Sequence, residues 1–320
     1  MTLPTLPAHR LAERPPERRW LIDELWADEA VGIVGGEPKC CKSFLALDIA
    51  VAVAGGVPCL RRFAPAQTGR VLLFAAEDAL HVVRQRLAGI AAAAGRELAD
   101  LDIHVITAPS VRLDVERDRE ALAATIAQLR PKLLVLDPFV RLHRVDENIS
   151  GEVAPLLAFL RELQRRFQLA VLLVHHARKG AAKMRAGQAL RGSSEFHAWG
   201  DSNLYLRRHG EQLTLTVEHR AAAAISAVSL QLATADTAVA LTAIDQPAVA
   251  TASPPTAPAP APHTLGQKIE AQLAAAASPL TAATLRKLCR SRNASVTTAL
   301  TELVAAGRVR KTSTGYAVAR

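Results

Sequence analysis

The stretch from Ala30 to Ala54 constrains this chain more than any other. A short apolar run, Ala30–Val34, leads straight into Gly35-Gly36-Glu37-Pro38-Lys39-Cys40-Cys41-Lys42-Ser43, and an apolar helical pattern runs from Ser43 to Ala54. From Gly36 to Ser43 the spacing is G-x-x-x-x-G-K-[ST], with Cys41 standing where the last glycine belongs. A strand, a tight loop and a helix in that order aim the loop N–H groups and the helix N-terminus at one point, which suits phosphate oxygens. Lys42 then reaches the outer phosphates, and the Ser43 hydroxyl is placed to ligate Mg²⁺. Gly35, Gly36, Glu37, Pro38, Lys39, Cys40, Cys41, Lys42, Ser43 and Phe44 form the expected cradle of ATP. The competing account is a chance loop ahead of a buried helix. Cys41 brings a Cβ to a place where glycine lets the backbone approach phosphate, a cost of ~1–3 kcal/mol if φ is positive there.

Further apolar runs follow at Val71–Ala75, Ile103–Thr107, Leu133–Leu136 and Ala170–Val174, separated by helical patterns at Ala79–Ala94, Asp118–Leu129 and Glu152–Phe167. Short continuous Val/Leu/Ile runs suit strands covered on both faces, and their alternation with helices predicts an α/β fold with a parallel sheet. Ser202–Arg207 and Leu213–His219 read as a hairpin that continues the sheet.

Carboxylates close two of these strands. Glu77 follows VLLFAA, at the rim where open α/β sheets bind ligands, and is placed to orient or deprotonate a water. By itself a glutamate after a strand is more often a solvated loop residue or helix cap; beside the phosphate loop the catalytic reading prevails. Asp137 ends LLVLD, the form that holds Mg²⁺ opposite the loop serine. Ala170–Val174 leads into His175 and His176, which read either as a satisfied rim pair or as part of a metal site lacking visible further ligands. Beyond them Lys179, Lys183, Arg185 and Arg191 lie among glycines and alanines as a basic loop.

Composition divides the chain. Residues 265–320 hold nine Lys and Arg against Glu270 and Glu302, a charge of +7 out of the total +9; the other 264 residues hold 30 basic against 28 acidic side chains. Between the two parts, residues 247–264 are rich in Pro and Ala and carry no charge, which predicts an extended spacer between a core of 1–246 (with an arm at 1–19) and a small domain. That domain reads as helix Gly266–Ala277, helix Ala282–Cys289, helix Ala294–Ala306 and a hairpin Val309–Val318, with Thr281 and Asn293 as N-caps and Gly307 as a C′ glycine. The pattern predicts a winged helix-turn-helix. Its third helix lacks Lys and Arg, so Arg290, Arg292, Arg310 and Lys311 around it point to phosphate contacts on DNA rather than base reading; a winged helix that binds protein is the alternative. The cysteines, Cys40, Cys41, Cys59 and Cys289, show no C-x-x-C pair and predict no disulfide. No run has membrane-span length and the first residues show no signal-peptide pattern, so a cytoplasmic protein with no membrane partner is expected.

Taken in order, GEPKCCKSFLALDIA, LLFAAED, LLVLDPFVRLHRVDEN, VLLVHHARKGA and LRGSS resemble the RecA-like ATPases of the plasmid replicative helicase RepA type and their KaiC and DnaB relatives. The resemblance runs from about Trp20 to Arg220. It implies ATP and Mg²⁺ bound at the subunit interfaces of a ring, often a hexamer, with single-stranded DNA in the channel and, here, duplex at the winged helix. It assigns the loop, Mg²⁺, water-activating and Walker B roles to Lys42, Ser43, Glu77 and Asp137. It places His175 or His176 on the strand that senses the γ-phosphate, and offers Arg191 or Arg220 to a neighbour's nucleotide. A helicase or loader, an ATP-dependent switch that does not unwind, and a nucleotide-binding scaffold with little turnover are the functions to weigh.

Overall fold

The computed structural model describes residues 3–11, 19–177, 195–210, 212–223, 225–235, 238–244, 265–276, 278–289 and 293–319. The chain divides into two compact units, Met1–Pro247 and Ala248–Arg320.

The first unit opens with a two-stranded antiparallel pair, β1 (Trp20–Ile22) and β2 (Trp26–Ala27). A βα alternation follows: β3 (Val31–Gly36), α1 (Lys42–Gly55), β4 (Val71–Ala75), α2 (Leu80–Ala93), β5 (Ile103–Val105), α3 (Glu116–Leu129), β6 (Leu133–Asp137), α4 (Ser150–Phe167) and β7 (Ala170–His176). A short helix α5 (Glu195–Trp199) precedes four antiparallel strands, β8 (Ser202–His209), β9 (Gln212–His219), β10 (Val228–Ala235) and β11 (Ala238–Ile244). Among the described residues these strands make one nine-stranded sheet in the order β11-β10-β9-β8-β3-β7-β6-β4-β5, parallel from β8 to β5. This is the α/β architecture, a parallel sheet flanked by helices, that the alternation of apolar runs and helical patterns predicts.

At β3, β4, β6 and β7 both faces of the sheet are covered, which is why these strands read as unbroken apolar runs. Side chains alternate between the faces with period two. Leu73, Val135, Leu172 and Val174 point to the side packed by α1 and α2, where the core also includes Leu45, Ile49, Leu87 and Ile90. Leu72, Leu134, Val171 and Leu173 point to the side of α3, α4 and α5, with Ile126, Leu157, Leu160 and Phe196. The chain passes from β3 to β4 over two intervening strands and then returns, so the C-terminal ends of β3, β4, β6 and β7 surround a common crevice.

The structure adds two features to the sequence-predicted elements. The small β1–β2 sheet was not foreseen, and neither was the β10–β11 hairpin, whose strands pair from Ser229↔Ile244 to Ala235↔Ala238. The strand before the phosphate loop runs to Gly36 rather than ending at Val34.

The second unit has α6 (Leu265–Ala275), α7 (Ala282–Leu288), α8 (Asn293–Ala305) and an antiparallel pair, β12 (Val309–Thr312) and β13 (Gly315–Val318). Ile269, Leu273, Leu285, Val296, Leu300, Leu303 and Val309 make its core. Thr281 caps α7 by accepting from the Thr284 N–H at 3.2 Å. Gly307, at φ 67°, ends α8, with Arg308 N bonded back to Leu303 O at 3.0 Å. α8 takes in Asn293 as its first residue, so Asn293 is not the flanking cap predicted for it. Residues 245–264, which hold the spacer, lie outside the described residues. Among the described residues no helix is long and apolar enough to cross a membrane.

Candidate phosphate-binding site

At the C-terminal edge of the sheet, β3 ends where its backbone is crowded. A Cβ on Gly36 would meet Leu206 O at 2.5 Å and Cys40 Sγ at 2.6 Å, so only glycine fits there. Residues 37–41 turn outward and back, and α1 begins at Lys42. Cys41 is the N-cap residue with φ 64° and ψ 27°, the left-handed region, and Lys39 shares it at φ 63°. The helix start leaves its first N–H groups facing the crevice. Lys42 is buried; its ammonium donates to Glu37 O at 2.8 Å and lies 3.9 Å from Cys40 Sγ. Burial pushes the Cys40 thiol up, against the lowering pull of Lys42. Cys41 Sγ accepts from Arg208 Nη2 at 3.4 Å.

β6 delivers Asp137, 8% exposed, beside the Ser43 hydroxyl. Burial raises its pKa to about 6; the Ser43 hydrogen bond and Lys42 oppose the rise, and Asp78 and Glu77 add to it. β4 delivers Glu77 and Asp78. Arg141, in a 3₁₀ turn at Phe139–Arg141, donates from Nε to Glu77 Oε1 at 2.8 Å. Arg86 of α2 pairs with Asp78 and lies over the Phe44 ring at 5.2 Å. β7 delivers His176, which pairs in register with Gly36.

All of these groups except Gly36, Glu37, Arg141, Leu206 and Arg208 line one cavity of about 320 Å³, at the lower end of the ~300–1,000 Å³ usual for small-molecule sites. Its walls include Lys39, Cys40, Cys41, Lys42, Ser43, Phe44, Glu77, Asp78, Arg86, Asp137 and His176. Gly35, Gly36, Glu37 and Pro38 shape the loop from behind without lining it. The donor set fits a nucleotide with Mg²⁺: a buried ammonium and a helix N-terminus for phosphate, and a hydroxyl touching a buried carboxylate for a hard cation. Among the described residues no three His, Cys, Asp or Glu side chains form a metal cluster. Mg²⁺ does not need one, because it keeps several waters and is held through one or two carboxylates and substrate phosphates.

The structure separates the two histidines. His175 is 1% exposed and turned to the opposite face of the sheet, stacked on Phe196 at 4.3 Å and 3.9 Å from Glu147. Period-two alternation explains the separation: neighbours on a strand cannot both face the cavity, and of the two candidates His176 is the one that lines it. Arg220 pairs with Asp201 and with the carbonyls of Ala198 and Trp199 beside the first residue of β8, at the end of the sheet away from its own cavity. Arg310 and Lys311 are exposed on β12, whereas Arg308, which also flanks the third helix, is tied to Glu270 at 2.7 Å. Lys179, Lys183, Arg185, Arg191, Arg290 and Arg292 lie outside the described residues. Sequence reasoning missed Arg86, Arg141 and Arg208. Only Arg141 left a signal, by following the LLVLDP strand end within a few residues.

Two solved structures are similar to this chain. A DnaB-like replicative helicase matches 67% of this chain and 57% of its own at 14% identity and a TM-score of 0.51, so the match spans little more than half of the helicase. The RadB recombinase matches 64% of this chain and 88% of its own at 15% identity and a TM-score of 0.49. At 14% identity the likeness to the helicase is one of fold. The family model described as an AAA domain, AAA_25, matches residues 1–182, which hold every wall of the cavity, and the chain belongs to that family of P-loop proteins.

Proposed function

We propose that this chain is a cytoplasmic, ring-forming ATPase that acts on DNA, as a helicase or loader of a plasmid or mobile element. The observation that carries the ATPase reading is the convergence of Lys42, Ser43, Glu77, Asp137 and His176, from four separate strand ends, on one cavity. The α1 N-terminus and Lys42 bind the phosphates; Lys42 exchanges its bond to Glu37 O for a phosphate oxygen. Ser43 and Asp137 would hold Mg²⁺, which would supply charge neutralisation at the outer phosphates. Glu77 orients the attacking water and takes its proton, and His176 touches the end of the nucleotide that changes on hydrolysis. Arg220, remote from its own cavity, serves a neighbour's site. DNA action is supported by the DnaB-like fold and by the charge of the second unit, whose three helices and β-pair suit a winged helix with Arg310 and Lys311 on the wing.

The test is ATP turnover of the purified chain with single-stranded and duplex DNA. Stimulation with strand separation supports the motor, stimulation alone an ATP-dependent switch, and DNA-independent turnover removes DNA from the reading. One observation favours a second function, a nucleotide-binding scaffold. Cys41 holds the left-handed conformation at a cost of about 1–3 kcal/mol, and its thiol stands where a glycine lets phosphate approach. Nucleotide binding without turnover selects the scaffold.

A further inference from the structure

Two adjacent carboxylates stand on the loop after β4, and each has its own arginine from a different element. Asp78 is paired with Arg86 of α2, and both side chains are about one-third exposed. Glu77, 42% exposed, accepts from Arg141 Nε at 2.8 Å, and that arginine is itself 61% exposed. Alone, a glutamate this exposed would sample several rotamers, since the long acidic side chain has up to ~2 kcal/mol of rotamer entropy to lose on being fixed. Arg141 is not similarly loose at its root. The turn that carries it is nailed down by Phe139 and Leu142, both fully buried, with Phe139 packed edge-on to Phe196 at 5.5 Å. The same turn leaves Asp137 through Pro138, so the Mg²⁺ carboxylate and Arg141 are separated by three residues of anchored backbone.

The geometry points to Arg141 as a positioning residue for Glu77. The guanidinium engages Oε1 and leaves Oε2 for the water, so the carboxylate is set before nucleotide arrives. The Asp78–Arg86 pair separates the neighbouring like charge and fixes which carboxylate is available. This rests on the water-activating reading of Glu77. An exposed ion pair contributes up to ~1 kcal/mol, which is about five-fold in the population of one rotamer, and the catalytic effect is of that size.

The experiment compares Arg141→Ala, Arg141→Lys, Arg86→Ala and Glu77→Gln in steady-state ATP hydrolysis on the full chain, with Tm as a check on folding. Arg141→Ala is expected to lower kcat about three- to ten-fold with KM for ATP and Tm unchanged. Lysine, which keeps the charge, should restore part of the loss. Arg86→Ala should instead raise KM, because it unpins Phe44 at the cavity wall. In the Glu77→Gln background, Arg141→Ala should have no further effect on the residual rate. If Glu77→Gln abolishes hydrolysis while Arg141→Ala keeps the wild-type kcat, or exceeds it, the positioning role is wrong and the water-activating role stands. If Glu77→Gln hydrolyses ATP normally, both fall together. An Arg141→Ala loss that persists undiminished on top of Glu77→Gln also overturns the proposal, because the arginine then acts through another group.

Discussion

Cys41 and Asp137 carry the two sharpest single-residue consequences. Cys41 sits at φ 64° with a Cβ that a glycine would not have, and the substitution Cys41→Gly removes both the strain and the side chain. It should leave the fold intact and tighten ATP binding or raise kcat, because no side chain then stands where phosphate approaches, while the ~1–2 kcal/mol of αL strain it relieves appears as folding stability. Weaker binding by the glycine variant, read from nucleotide titration, would show the thiol and its Arg208 contact to be adapted to this loop. Lys42→Ala should abolish binding, and Glu77→Gln should keep binding while losing hydrolysis. Asp137 works against the nucleotide-free fold. Its native pKa of about 6 lies above the ordinary 3.8, so between those values the folded protein binds the extra proton and stability falls as pH rises. Above pH 6 the full penalty, on the order of 3 kcal/mol, is present. Without nucleotide, Asp137→Asn should therefore be more stable than wild type at pH 8 and equal to it near pH 3.5, by urea midpoint. Equal midpoints at both pH values would mean that Asp137 is not held in a strained ionised state. The same variant should lose Mg²⁺-dependent nucleotide binding.

At the scale of elements, α1 shows what the pattern hides. Its run from Lys42 to Gly55 is apolar nearly all round, as a helix between a sheet and its neighbours should be. Asp48 interrupts it at 0% exposure, and nothing in the sequence says what satisfies it. The answer is remote in the chain: Leu60 N and Arg61 Nη2 each donate to its carboxylate at 2.7 Å, from a turn in which both residues adopt left-handed φ. Burial nonetheless raises its pKa. Asp48→Ala should cost about 3 kcal/mol, seen as a fall in Tm, because it strands a buried N–H and a partly buried guanidinium together. The strands β3, β4, β6 and β7 were legible because burial on both faces makes them continuous apolar runs. β10 and β11 were not, since Val228–Ile244 is rich in Ala and Thr and buries only part of each strand. The loop, Glu77 and Asp137 were legible from spacing and strand order. Choosing between His175 and His176 needed the register, and the arginines that hold Glu77 and Asp78 needed the tertiary fold.

For the whole molecule, chemistry and charge are carried by different units. Every wall of the cavity lies before Ala177, while +7 of the +9 charge lies in residues 265–320. Truncation after Pro247 should leave basal ATP hydrolysis nearly unchanged. It should weaken duplex binding strongly and flatten its salt dependence, because fewer counterions are released. Replacing Lys183, Arg185 and Arg191 with alanine should do the reverse, abolishing stimulation by single strands while duplex tethering persists. A truncated chain that binds duplex with the full affinity and salt slope would show that the small unit is not the DNA anchor and point to a protein partner instead. The position of Arg220 has a consequence of another kind. Register pairs Gly32 with Ser202 and Gly36 with Leu206, so the arginine and the cavity sit at opposite ends of the same strands. If the proposed ring forms, each subunit brings half of one site and half of another. Two dead proteins, Lys42→Ala and Arg220→Ala, should then rescue each other on mixing, because some interfaces join the sound cavity of one to the sound arginine of the other. In a cell that makes both, two null alleles would behave as one partly working gene.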